Sequence, residues 1–461
     1  MAPRGHACDF GAAVLAAALA GATPVHAGND DAAALTALKA ELARLTARVA
    51  ELEARLATPA TAPADAAADA AGAGAVTPLP ASVAQPPAQP PAHEPADALA
   101  HAPPHPTAPR ISAGGRVKLD VVFNDRSRGS GVIGDTLLVP GAIAITARGE
   151  HDQLDFSARA SRLWLKGWQT TAFGDAGAYL EFDLLGSGGD ARVSNGYGAR
   201  LRHGYGELGG LLFGQTYSTF VNVGALPELN DDGITAGGLN VRQPLLRYTR
   251  AFGAGALQVA LEAPEATVTA ADGQRLAPDD DRVPDMVLRY QREGVFGQWS
   301  LATMVRELRI DAGAGGPRDG AFGAAASLAG ELRAGLADAI RFTAVGVNAV
   351  GRYLSFNAFD GARLSAEGVL RLTPMAGGTL SWQHLWSARW RSNLTAGYAW
   401  ADDDGAAPDA NAQLYTVHAN LLWSPFASTT LGLEWIHACR RQVDGRAGRL
   451  NRLQFSAVHK F

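Results

Sequence analysis

Apolar and polar side chains alternate in short runs from residue 110 to residue 461, and Gly- or Asp-rich segments separate these runs. Across residues 117–123 the odd-numbered positions are apolar and the even-numbered ones are largely polar. The same phase returns near the end of the sequence, where Leu453, Phe455 and Phe461 are apolar and alternate with polar residues. Because successive side chains of a strand point to opposite faces, this pattern predicts β-strands with one apolar and one polar face.

Such strands could form a soluble sandwich or a barrel that spans a membrane. After residue 27 no stretch approaches the roughly 18 to 20 uncharged apolar residues of a membrane helix. A closed barrel is the other structure that can span lipid, and its alternating strands explain a mean hydropathy of only −0.02. The aromatic Phe461 at the apolar phase resembles the C-terminal signal of bacterial outer-membrane barrels, and we expect it to engage the barrel assembly machinery. The fold class expected for residues 110–461 is therefore all-β, an antiparallel transmembrane barrel.

The number of strands follows from the alternation of tight turns with long loops, because bacterial barrels have short periplasmic turns and an even strand count. Residues 362–372 could add a strand, but this would place the acidic segment 402–404 on the periplasmic side. Treating 354–378 as one external loop gives sixteen strands, which leaves room for an aqueous channel. The predicted strands lie near 115–123, 154–168, 177–185, 197–208, 211–216, 243–252, 256–263, 283–293, 297–309, 321–334, 338–352, 379–387, 391–401, 412–423, 428–440 and 449–461.

Three segments precede the barrel. Residues 1–27 combine Arg4, a short apolar run and a small-residue site ending at Ala27, which predicts a secretory signal peptide; a buried N-terminal helix is the alternative. Residues 28–57 show heptad spacing, which predicts an α-helical coiled coil between parallel copies of the chain in the periplasm. An amphipathic helix packed on its own domain is the other interpretation. The predicted coiled-coil core consists of Leu35, Leu38, Leu42, Leu45, Val49, Leu52 and Leu56.

Residues 58–109 are dominated by Ala and Pro and contain no Lys or Arg. A segment of this composition buries too little apolar surface to fold, so it is predicted to be a disordered Ala/Pro-rich linker. Peptidoglycan is a candidate partner of this N-terminal arm.

The polar phase of the strands predicts the lining of a channel. Basic residues at this phase would lower the barrier for anions, and the planar guanidinium suits carboxylates. The predicted pore-lining and selectivity residues are Arg116, Lys118, Arg200, Arg202, Arg247, Arg289 and Arg306, with acidic partners Asp120, Glu181, Asp183 and Glu434. The long segment 217–242 has the length and position of a loop that narrows a pore, or is an ordinary exposed loop. Its candidate residues are Tyr217, Glu228, Asp231 and Asp232.

The sequence predicts no catalytic activity, no bound metal and no cofactor. His384 near Ser381, or His418 near Asn420, has the residue types of a membrane phospholipase, but no motif surrounds either pair. The formal net charge of −5 argues against a nucleic-acid partner.

Several stretches resemble the DcaP-like family of outer-membrane porins. They include residues 116–120, 161–163, 180–183, 214–220 (Gly-Gln-Thr-Tyr-Ser-Thr-Phe), 227–228, 242–244, 384–386, 391–392 and 420–425. The resemblance covers most of residues 110–461, and the family also has a coiled coil before its barrel. It implies a trimer of sixteen-stranded barrels with a periplasmic coiled coil, in the outer membrane of a Gram-negative bacterium.

The resemblance also implies uptake of small negatively charged solutes, including dicarboxylates, through an arginine-rich pore. The function expected is passive diffusion, with a homotrimer, outer-membrane lipid, lipopolysaccharide and small anionic solutes as partners. The alternative is a structural protein that anchors the envelope by binding peptidoglycan through its N-terminal arm.

Overall fold

The computed structural model describes residues 108–127, 136–145, 150–187, 192–402 and 404–461. The predicted signal peptide and coiled coil lie outside the described residues, as does the predicted linker up to residue 107. The described part contains 21 β-strands and three short 3-10 helices, at Pro140–Ala142, Val223–Ala225 and Gly351–Tyr353.

The strands, numbered in chain order, are β1 (Arg110–Arg126), β2 (His151–Ser157), β3 (Arg162–Thr171), β4 (Gly174–Asp183), β5 (Arg200–Leu208), β6 (Leu211–Tyr217), β7 (Arg242–Phe252), β8 (Gly255–Glu262), β9 (Val268–Thr269), β10 (Arg275–Leu276), β11 (Asp285–Gly294), β12 (Gly297–Asp311), β13 (Arg318–Ala334), β14 (Asp338–Val347), β15 (Ala362–Leu364), β16 (Leu370–Leu372), β17 (Met375–Leu385), β18 (Trp390–Ala401), β19 (Asn411–Phe426), β20 (Thr429–Gln442) and β21 (Ala447–Lys460).

Seventeen of these strands form one closed antiparallel barrel with sixteen strand positions in its wall. β1 pairs with β21 on one side, with Arg116 opposite Lys460, and with both β2 and β3 on the other. β2 and β3 therefore count as one strand of the wall, interrupted between Ser157 and Arg162. Closure leaves no unpaired strand edge in the barrel, which is the condition for crossing lipid. The predicted all-β class and the count of sixteen are confirmed.

Tight turns and longer connections alternate around the barrel. The turns at 172–173, 209–210, 253–254, 295–296, 335–337, 386–389 and 427–428 share one end with the start of β1 and the end of β21. The other connections emerge at the opposite end, and 348–374 is one of them, close to the single loop predicted for 354–378. Two of its short strands, β15 and β16, form a separate four-stranded sheet with β9 and β10 of connection 263–284.

The barrel is apolar outside and polar inside. On β20 and β21, Leu433 and Phe455 are exposed, whereas Glu434 and Ser456 on the opposite phase are buried. This reverses the usual arrangement of a soluble protein, and it suits an outer surface that meets lipid. Within the described residues, no helix has the length and apolar character needed to cross a membrane.

Candidate functional site: the barrel interior and its inserted loop

The connection between β6 and β7, residues 218–241, lies inside the barrel. None of its residues is exposed. Its backbone rests directly on the wall at β18, where a Cβ at Gly397 would overlap the carbonyl oxygen of Ala236. The amide of Ala236 donates to Thr416 Oγ1 on β19 at 3.1 Å. The small residue at an inward position of β18 therefore makes room for the loop; we call residues 218–241 the inserted loop.

Asp232 of the inserted loop meets three cations of the wall. Its carboxylate accepts hydrogen bonds from Arg116 at 2.6 Å, Lys118 at 2.5 Å and Arg162 at 2.7 Å. Burial by itself would raise the pKa of Asp232, but these neighbouring positive charges outweigh it and hold the pKa well below its usual value. Asp232 is therefore an anion that links β1 and β3 to the loop.

Two further carboxylates of the inserted loop bind other parts of the wall. Glu228 forms a bidentate ion pair with Arg391 of β18, at 2.8 and 2.6 Å. Asp231 pairs with Arg452 of β21, and both side chains are almost fully buried. The loop therefore crosses the interior and is bound to β18 and β21 as well as to β1 and β3.

β20 contributes a carboxylate that holds the loop backbone. Glu434 accepts from the amide of Asn230 at 2.6 Å and from the Asn420 side chain at 3.2 Å. Its other oxygen is 2.9 Å from His418 Nδ1. These inward polar groups are thus engaged in holding the loop rather than arranged around a substrate.

The arginines of β5 are paired with carboxylates of β4. Arg200 binds Asp183 through Nε and Nη2, at 3.0 and 2.6 Å. Arg202 binds Glu181 at 2.5 Å and Asp183 at 3.0 Å. Each carboxylate is inside the barrel, so the four side chains form an ion-pair network across two neighbouring strands.

Aromatic rings line the wall beside this network. The ring of Tyr179 lies 5.6 Å from that of Tyr205, and the ring of His203 lies 5.2 Å from that of Tyr217. Tyr217 also accepts a hydrogen bond from Arg242 Nη1 at 3.1 Å, with the Arg242 Cζ 5.1 Å from its ring centre. Tyr217 therefore connects the end of β6 to the start of β7 at the base of the inserted loop.

Arg247 and Arg289 differ from the other predicted pore arginines because neither forms an ion pair in the described part of the chain. Arg289 donates to the carbonyl of Val221 at 2.9 Å and to the Gln291 side chain at 2.5 Å, both neutral acceptors. Arg247 is half-buried and acts electrostatically on Arg289, while the carboxylates of Glu262 and Glu207 act on Arg247. Arg306, by contrast, is 1% exposed and pairs with Asp285 at 3.1 Å.

The structure thus places the predicted basic residues in three settings. Arg116 and Lys118 hold the inserted loop through Asp232, Arg200, Arg202 and Arg306 pair with wall carboxylates, and Arg247 and Arg289 form no ion pair within the described residues, although Arg289 donates to the Val221 carbonyl of the inserted loop. Sequence reasoning did not select Arg162, Arg391 and Arg452 as site residues. Alternation could have added them to the interior, but it could not show which carboxylate each one meets.

The pairs considered for catalysis are not arranged for it. Ser381 is buried and bonded to Thr395 at 2.7 Å, whereas His384 lies on the opposite phase of β17 and contacts Asp338 at 2.8 Å. His418 is engaged by Glu434. In the part of the chain that the structure describes, no group of three or more His, Cys, Asp or Glu side chains could hold a metal ion.

A closed sixteen-stranded barrel with an apolar exterior and an inserted loop defines the fold of an outer-membrane porin. The family model of the DcaP outer membrane protein matches residues 109–461, so the chain belongs to this family and the resemblance seen in the sequence is confirmed.

Solved structures agree with this fold. The outer membrane channel DcaP of Acinetobacter baumannii is 20% identical, with a TM-score of 0.66, and the match covers 77% of this chain and 97% of that one. OmpF of Salmonella typhi, solved in complex with daunomycin, is 8% identical with a TM-score of 0.50, over 76% of this chain and 97% of that one. Among curated protein sequences no significant match was found.

Proposed function

We propose that the protein is a porin for passive diffusion of small hydrophilic solutes across the outer membrane, with a preference for anions such as mono- and dicarboxylates. The observation that carries this proposal is the pair Arg247, half-buried on β7, and Arg289 on β11, two inward guanidinium groups that form no ion pair within the described residues; Glu262 and Glu207 act on Arg247 only at longer range. The carboxylates of the inserted loop are already bound to Arg116, Arg391 and Arg452 and cannot neutralise this pair. Positive charge in the wall of a pore lowers the barrier for anions and raises it for cations.

Reversal potentials in planar bilayers test the preference. In a KCl gradient we expect a potential of the sign given by chloride permeation. Arg247→Gln should shift it toward the value of a non-selective pore, because the substitution removes one charge at nearly constant size. Arg250→Gln is the matched control, since Arg250 lies on the same strand but at the exposed phase. Cation preference of the unaltered protein, or an equal shift in both variants, would contradict the proposal.

Conductance also separates this function from the structural alternative. Stable stepwise openings support a porin, whereas a protein that inserts without any openings would favour an envelope anchor that binds peptidoglycan. Conductance measured with a series of mono- and dicarboxylate salts would then rank the solutes.

We further propose a homotrimer in the outer membrane of a Gram-negative bacterium, exported by residues 1–27 and joined through residues 28–57, with residues 58–109 as linker. The argument is the heptad spacing of Leu35 to Leu56 together with membership of the family. If the coiled coil joins the subunits, deletion of residues 28–57 should reduce the mass of the detergent-solubilised particle from that of a trimer to that of a monomer. An unchanged trimer would show that the barrels associate by themselves, and a monomeric full-length protein would contradict the proposal.

A further inference from the structure

A second connection, residues 348–374, enters the same interior and pairs with the inserted loop. Leu354 forms an antiparallel bridge with Leu239. The amide of Asn240 donates to the Tyr353 carbonyl at 3.3 Å, and the amide of Ser355 donates to the Gly238 carbonyl at 2.9 Å. The two loops therefore form a short two-stranded contact inside the barrel; we call residues 348–374 the second loop.

Tyr353 binds the second loop to the wall. Its hydroxyl donates to Asp285 at 2.8 Å and accepts from Gln243 at 2.8 Å. Its ring lies between two guanidinium groups, with Cζ of Arg306 at 5.5 Å and Cζ of Arg352 at 5.3 Å from the ring centre. The ring is completely buried, so hydrogen bonds and cation–π contacts both operate in a water-excluded site.

The backbone of the second loop is strained where it touches the inserted loop. Ser355, Phe356 and Asn357 have φ of 51°, 57° and 58°, a left-handed conformation that is unfavourable for non-glycine residues. Hydrogen bonds hold this turn on both sides, from Gly237 N to Ser355 Oγ and from Thr267 Oγ1 to Asn357 Oδ1, each 2.9 Å. Strain of this kind persists only where the surroundings determine the conformation, which indicates a specific position for the loop.

Together the two loops fill one side of the barrel with apolar side chains. This interior cluster joins both loops to inward residues of β8, β11–β14 and β17–β19. It contains Phe220, Val221, Ala236, Leu239, Val241, Ala260, Val287, Ala302, Met304, Ala325, Val345, Ala349, Val350, Tyr353, Leu354, Ala358, Phe359, Met375, Ala399, Ala401 and Leu414, each at most 8% exposed. A close-packed apolar region of this size has no place for a file of water or for a hydrated ion.

The wall formed by β3–β7 has a different character. Arg202, His203 and Leu245 are buried there, but several other inward side chains are polar or aromatic and only half-buried, namely Trp164, Lys166, Tyr179, Tyr205, Arg247 and Thr249. Partial exposure at inward positions means that solvent reaches them from inside the barrel. Solvent therefore contacts the wall at β3–β7, while it is excluded from the side occupied by the interior cluster.

We propose that solutes cross the barrel only along the β3–β7 sector, and that the second loop closes the remaining side by holding the inserted loop in place. Tyr353 and Ser355 are then positioning residues for pore selectivity, because they fix the loop without contacting the solute. This inference rests on the proposed function of a conducting channel and adds the location of its path.

Cysteine accessibility tests the path in a background that lacks the two native cysteines of the sequence, through Cys8→Ser and Cys439→Ser. Thr249→Cys lies in the proposed sector, and Ala302→Cys lies in the interior cluster, where Ala302 is 2% exposed. A charged methanethiosulfonate reagent should label Thr249→Cys and reduce its single-channel current. Ala302→Cys should remain unlabelled with its current unchanged.

The outcomes are distinguishable from failure of the proposed function. Labelling of Ala302→Cys with loss of current would overturn the inference, as would labelled Thr249→Cys with unchanged current. Absence of openings before any reagent is added would instead contradict the channel function itself.

A cross-link tests the contact between the loops. Residues opposed in an antiparallel bridge have Cα atoms roughly 4.5–5.5 Å apart, within the range of a disulfide. The double variant Leu239→Cys and Leu354→Cys, in the same background, should therefore oxidise readily. We expect equal conductance and reversal potential in the oxidised and reduced states. Failure to cross-link, or a current that is lost on oxidation and restored on reduction, would overturn the proposal.

Discussion

Asp232→Asn is the substitution that isolates the electrostatic role of the inserted loop. It keeps the size of the side chain, but it removes one negative charge and replaces one accepting oxygen by a donating NH2 group in a site that holds Arg116, Lys118 and Arg162. The three cations would then face a neutral group. Because Glu228 and Asp231 still anchor the loop, we expect the fold to persist while the charge of the interior becomes more positive.

The magnitude follows from the burial of the partners. The side chains of Asp232 and Lys118 are 13% and 3% exposed, so this is a largely buried cluster. Removing one partner of a buried ion pair costs about 3–5 kcal/mol, since the remaining charge has lost its compensation. The lower part of this range is expected here, because Arg116 and Arg162 are about one-fifth exposed and solvent screens them partly.

Two measurements check this prediction. The unfolding transition of the variant in detergent should shift to lower denaturant or temperature, and the reversal potential in a KCl gradient should move toward greater anion selectivity. Asp272→Asn is the control, because it removes the same charge from an exposed connection. A variant with unchanged stability and unchanged selectivity would refute the reasoning that Asp232 compensates the wall cations.

Two other predictions concern the contact of the inserted loop with β18 and the connection 263–284. Gly397→Val should destabilise the barrel by about 1–3 kcal/mol, because the new side chain would overlap the backbone at Ala236. Gly294→Val is the control and should leave the stability unchanged, because nothing lies near its Cβ position. Thermal unfolding of both variants tests this prediction. In connection 263–284, burial is the main cause that raises the pKa of Asp281 to about 6. Protonated Asp281 therefore stabilises the folded connection, and this stabilisation is complete below about pH 3.9, the pKa of an aspartate in the unfolded chain. It is lost as the pH rises through about 6, the pKa of Asp281 in the folded protein. Proteolysis of this connection should therefore increase over that interval. Asp281→Asn should abolish this pH dependence, and an unchanged dependence would show that another group titrates.

The face of each strand could be predicted from local information. In β20, the inward position of Glu434 and the outward positions of Leu433 and Trp435 follow from a period of two residues, which needs no knowledge of the neighbours. The strand count followed from turn chemistry in the same way, and the structure confirms it. Even the break between β2 and β3 leaves the barrel count unchanged.

The partners of the interior charges could not be predicted in this way. Asp232 meets Arg116 across 116 positions of the chain, and Asp231 meets Arg452 across 221. Such contacts depend on barrel closure and on the path of the inserted loop, neither of which has a local sequence signal. The predicted set of pore arginines therefore mixed residues that form ion pairs with the loop or the wall with residues that form none within the described part of the chain.

The sequence by itself determined a barrel with lipid outside and polar groups inside, because alternation is encoded residue by residue along each strand. Only the tertiary structure decided how the interior is divided. Leu354 belongs to the segment 354–378 that the sequence predicted as an external loop, and Tyr353 directly precedes it, yet both are fully buried inside the barrel. The physical reason is that apolar residues in a loop gain stability from any water-excluded surface within reach, and closure of the barrel creates that surface.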